Sequence, residues 1–69
     1  MFNTNDSEIE AKNLEILQDQ MHHEALAYKK CSLYSSYFSE QPLKDMSMRA
    51  AEHHKAHFDA LQTYLEQHR

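Results

Sequence analysis

The chain has 69 residues, with no glycine, one proline and a single cysteine, Cys31. A monomer of this length leaves much of its surface unburied, and one cysteine excludes an internal disulfide, so metal binding and oligomerisation remain as sources of extra stability. Seven Lys and Arg against eleven Asp and Glu give a net charge of −4, which argues against nucleic acid or an anionic membrane as the main partner. The six histidines are a reserve of positive charge below about pH 6.5. No window approaches the ~18 apolar residues of a membrane span, and "MFNTNDSEIE" at residues 1–10 lacks the basic and apolar blocks of a signal peptide. The expectation is a soluble, cytoplasmic protein.

A composition without glycine disfavours turn-rich β architecture and favours a few long helices. Residues 1–7 read as a loose arm. Ser7 and Glu10 have the spacing of a capping box, which predicts that the first helix starts near Glu8. The periodic pattern then runs unbroken to "SEQP" at 39–42, where Pro42 suits the first position of a second helix. The expected elements are a helix over 8–39, a loop at 39–42 and a helix over 42–68. Together they make an all-α, antiparallel two-helix hairpin whose arms are roughly 45 and 40 Å long.

In the first helix, Leu17, Met21, Glu24, Tyr28, Cys31, Ser35 and Phe38 recur at alternating spacings of four and three, the seam of a packed helix. The equivalent stripe of the second helix is expected to be Leu43, Met46, Ala50, His54, His57, Leu61, Tyr64 and His68, flanked by Ala51, Phe58 and Leu65. With the turn centred near residue 41, Glu24 faces His57 or Phe58, and Tyr28 faces His54.

One carboxylate and two imidazoles are thus expected at one level of an apolar seam. Burying an ionised carboxylate there is costly unless it is paired, protonated or metal-bound. Glu24, His54 and His57 are therefore the candidate ligands of a divalent transition metal, iron, manganese or zinc, with the Tyr28 hydroxyl behind them. A single hairpin offers three ligands and one covered flank. Two hairpins about a twofold axis would complete a four-helix bundle and bring two copies of the site near each other.

Residues 24–65, "EALAYKKCSLYSSYFSEQPLKDMSMRAAEHHKAHFDALQTYL", resemble the first helical hairpin of ferritin-like proteins of the rubrerythrin type, and more closely the short spore-coat proteins of the coat F type. Glu24, Ala27 and Tyr28 match the first-helix pattern of that family, and His57 and Phe58 match the end of its Glu-x-x-His motif. At position 54 the family's Glu is replaced by His, which puts a carboxylate-bridged di-iron centre in doubt. The resemblance implies a ferritin-like four-helix bundle formed by a homodimer, a metal-holding or structural role in the spore coat, and other coat proteins as partners.

Two further readings belong to other classes: a di-metal oxidase or peroxidase of rubrerythrin type, and a metal-free interaction module whose polar seam groups set register. "EHHKAH" at 52–57 is not the zinc-protease motif, because its Glu precedes the histidines. His53 with His57 is a second-choice ligand pair, and His22 and His23 read as solvated. Cys31 reads as a small buried hydrophobe or as a disulfide across the dimer axis. Leu26, Leu33 and Tyr37 form a thinner apolar stripe suited to higher assembly.

Overall fold

The computed structural model describes residues 9–68, which fold as two antiparallel helices, α1 (Ala11–Tyr37) and α2 (Gln41–His68). No strand occurs among the described residues, and neither helix is long and apolar enough to cross a membrane. Ser7 and Glu8, the expected start of the first helix, lie outside the described residues. Glu10 is extended, with φ −62° and ψ 145°, and caps α1 through its carbonyl, which accepts the Leu14 N–H at 2.9 Å. α1 therefore begins at Ala11. Counting outward from the Glu24–His54 contact, Glu10 stands level with His68, so α1 starts where α2 can cover it; a turn without such cover has only marginal helical stability.

The turn is also earlier than the pattern suggests. α1 stops at Tyr37, Phe38 leaves the helix extended at φ −77° and ψ 140°, and α2 opens at Gln41. The Glu40 carbonyl accepts the Lys44 N–H at 3.1 Å and so begins the second ladder. Phe38, Ser39 and Glu40 close the hairpin, and no described residue has a positive φ, as suits a chain without glycine. Pro42 is the second residue of α2, still in the first turn, where its missing N–H removes no helical hydrogen bond.

The buried and half-buried residues of α1 include Leu17, Met21, Glu24, Cys31 and Ser35 of the expected seam, extended by Leu14, whereas Tyr28 and Phe38, expected in the same seam, are each 38% exposed. The inner face of α2 differs from the expected one. It runs through Lys44, Ser47, Ala51, His54, Phe58, Leu61, Leu65 and His68, all half-buried or buried. Leu43, Met46 and Tyr64, expected to face α1, are 37%, 57% and 50% exposed. Five positions of the stripe shift by one residue while His54, Leu61 and His68 keep their places, so the helix is rotated by roughly 60° from the expected setting. The cause is steric. Ser47 and Ala51 let the backbones approach: Ala51 is fully buried, and the Ser47 hydroxyl donates to the Cys31 carbonyl of α1 at 2.8 Å. Nearby, the Ser35 hydroxyl lies 2.7 Å from the Ser32 carbonyl and 3.2 Å from the Met48 sulfur.

The resulting core is thin. Leu17 and Ala51 are the buried apolar residues described, and no large side chain among the described residues is fully buried. Because Ala51 is fully buried between the helices, Ala51→Leu should overpack the seam and destabilise the fold by about 1–3 kcal/mol. Urea unfolding checks this against Ala56→Leu on the exposed face, which should leave the midpoint nearly unchanged.

Candidate metal centre

Glu24 lies at the middle of α1, with thirteen helical residues on either side of it within Ala11–Tyr37. Its side chain is 15% exposed and points into the seam. The early turn slides the facing pairs by about one helical turn, so Glu24 stands opposite His54 where the sequence pattern placed His57 or Phe58. The slide does not break the cluster. His54 and His57 are one turn apart on the same side of α2, and both reach the same carboxylate oxygen.

His54 Nδ1 is 2.6 Å from Glu24 Oε1, and His57 Nδ1 is 3.6 Å from that atom. The two imidazole rings are nearly perpendicular, at 85° with centroids 6.3 Å apart, which lets both Nδ1 atoms aim at one point. Potential ligand atoms of Glu24, His54 and His57 all lie within 4.8 Å of one another, and this is the cluster of that kind among the described residues. The burial is graded: the His54 side chain is 33% exposed and the His57 side chain 63%. His22, His23 and His53 are exposed and stand outside the cluster. Tyr28, expected opposite His54, instead lines a shallow apolar groove with Ala25, Lys29, Lys55, Phe58 and Asp59.

The hydrogen bond with His54 holds the Glu24 carboxyl below its ordinary value of 4.5; partial burial acts the other way, and the charges of His54 and His57 add to the lowering. An ionised carboxylate only accepts, so at 2.6 Å the proton sits on His54 Nδ1. Without metal, then, a proton bridges Glu24 and His54. No buried side-chain nitrogen or oxygen among the described residues is left without a partner.

The donor set also fits a divalent metal of the zinc or iron type. Ligands about 2.1 Å from a tetrahedral ion lie about 3.4 Å from each other. The 3.6 Å between Glu24 Oε1 and His57 Nδ1 is already near that value, whereas the 2.6 Å to His54 Nδ1 is a hydrogen-bond length. Metal binding here would displace the bridging proton and widen the Glu24–His54 contact by somewhat under 1 Å. One carboxylate and two imidazoles leave a tetrahedral ion one ligand short.

Comparison with protein-family models, with curated proteins and with solved structures finds no match. The ferritin-like resemblance therefore rests on residues 24–65 themselves.

A carboxyl lowered in the folded state makes the unfolded chain bind more protons in acid, so its contribution is present above the ordinary carboxylate range and is lost as pH falls through it. In chelator, urea midpoints should fall as pH is lowered below 4.5. Glu24→Gln should flatten that part of the profile, and an unchanged slope in the variant would show that other carboxylates carry it.

Proposed function

We propose that this chain is a small metal-holding structural protein of ferritin-like type, in which two hairpins form a four-helix bundle and Glu24, His54 and His57 ligate a divalent transition metal. Its work is burial and ligation, not turnover. The observation that carries this reading is the convergence of one carboxylate oxygen and two imidazole Nδ1 atoms in the middle of an otherwise largely apolar seam. A hairpin with so thin a core gains from an internal ligand, because metal binding to the folded state alone is folding free energy. The likeness of residues 24–65 to rubrerythrin-type hairpins and to coat F proteins supports the bundle and a place in the cytoplasm or the spore coat, with coat proteins as neighbours. Histidine at position 54 leaves one carboxylate in the cluster of each hairpin, which favours holding an ion over the oxygen chemistry of carboxylate-bridged di-iron centres.

A second reading has its own observation. The Glu24–His54 hydrogen bond satisfies both groups without any ion, so the trio could serve only to set the register of a metal-free interaction module.

Elemental analysis of protein purified without a histidine tag separates the two. Near one equivalent of iron, manganese or zinc per chain is the result expected. Substituting a second-sphere partner typically costs 10–100-fold in metal affinity, so removing a ligand by Glu24→Gln should cost more than about 100-fold. A chain that carries no metal and stays folded in chelator would establish the register-setting reading instead.

A further inference from the structure

Each helix carries a second stripe one residue ahead of its seam. In α1, Ile16, Gln20, His23, Lys30 and Tyr34 precede the seam residues Leu17, Met21, Glu24, Cys31 and Ser35 by one place. In α2, Leu43, Met46 and Tyr64 precede Lys44, Ser47 and Leu65 in the same way. One place is a turn of about 100° about the helix axis, and because the helices run antiparallel the two stripes come to the same side of the hairpin. Ile16 is 56% exposed, Tyr34 48%, Met46 57% and Tyr64 50%, so this side is an open face with large apolar side chains toward both ends and one cation, Lys30, on α1.

Its charge pattern sets it apart. No Asp or Glu occupies either stripe, whereas the opposite side of α2 carries Glu52, Lys55, Asp59 and Glu66. Histidines fill the middle of the face: His57, His53 and, on α1, His23 stand one place before Phe58, His54 and Glu24. His57 is thus both a member of the ligand cluster and a residue of the open face, which accounts for its 63% exposure.

We propose that a second copy of this chain docks on this face, and that one exposed imidazole of that copy, His23 or His53, completes the coordination that Glu24, His54 and His57 leave one ligand short. The proposal rests on the metal-holding reading above and names the partner of that site. Three observations select a second copy as the occupant. The face is about 40 Å long and two helices, about 20 Å, wide, so full overlap covers about 800 Å² per copy, the amount one partner of a stable interface buries. It carries no carboxylates to repel or strand when it meets itself. Glu24 is central in α1, with His54 at the same level of α2, so a twofold axis along or across the helices brings the two sites to one level.

The test uses Co(II) alone as the probe, with sedimentation velocity and visible absorption read on the same samples of the full chain. The wild type should bind one Co(II) per chain as a dimer with the intense visible bands of four-coordinate cobalt. Met46→Glu and Tyr34→Glu, which place a charge on the face from either helix, should give monomers that bind Co(II) at least about 10-fold more weakly, while Leu33→Glu outside the stripe should remain dimeric. The double variant His23→Ala, His53→Ala should weaken Co(II) binding by a similar factor and lose the intense bands.

A monomeric Met46→Glu or Tyr34→Glu that binds Co(II) as tightly as wild type would overturn the docking proposal and leave the metal-holding reading standing. Dimeric wild type that binds no Co(II) would sink both. If the charged variants fail to fold, the wild-type melting temperature decides: it must rise with protein concentration, and a concentration-independent melt overturns the proposal.

Discussion

A carboxylate in the middle of a helical seam is the constraint on which the rest of this molecule turns. Glu24 is 15% exposed, ionised, and flanked along α1 by Met21 and Cys31. Left alone it would carry the desolvation cost of a charge without a partner. His54 removes that cost by donating from Nδ1 at 2.6 Å, and His57 approaches the same oxygen from the next turn. Because the partners come from α2, satisfying Glu24 also fixes how the two helices slide past one another. Chemistry and register are therefore the same contact.

The rotation of α2 has a different origin. Ala51 lies one turn before His54 on the same face and is fully buried, and Ser47 one turn earlier hydrogen-bonds to the α1 backbone. These small residues let the two backbones approach one another, and only a helix rotated so that they face inward can make that approach. The same rotation keeps His54 in the seam and carries His57 from the expected stripe to its edge, with His53 facing outward. A larger side chain at position 51 would push the helices apart and loosen the hold of His54 on Glu24, although it touches neither.

How much of this was legible in the sequence depended on whether neighbouring signals competed. The two helices and the α1 seam follow from the spacing of Leu17, Met21, Glu24 and Cys31, beside which the other apolar residues of α1, such as Leu26, Leu33 and Tyr37, make only a thinner stripe. On α2 two apolar stripes lie side by side, Leu43–Met46–Tyr64 and Ala51–Phe58–Leu65, and hydrophobicity cannot tell which one meets α1. Close approach decides that, and it depends on residue size across the seam. The pattern sets the turn late because Pro42 suits the first helical position, whereas any first-turn position serves it equally well. The convergence of Glu24 with His54 and His57 holds in either register because the two imidazoles span a full turn, so a slide of one turn exchanges their roles without separating the cluster.

The hairpin is therefore polarised across its width as well as along its length. One side carries the ions of α2, including the exposed Lys55–Asp59 pair at 3.1 Å, which contributes little to stability but keeps that side wet. The other presents aliphatic, aromatic and histidine side chains. A monomer gains nothing from such an asymmetry, since apolar surface left in water contributes no burial energy. An assembly does. Covering the open face would bury Met46 and Tyr64 and remove water from around His57, strengthening each electrostatic contact within the Glu24 cluster. In a chain whose own core holds so little, the proposed docking would make the site and the face two parts of one device: the Glu24 cluster would define the centre of the contact, and the contact would supply the dry surroundings in which that cluster binds best.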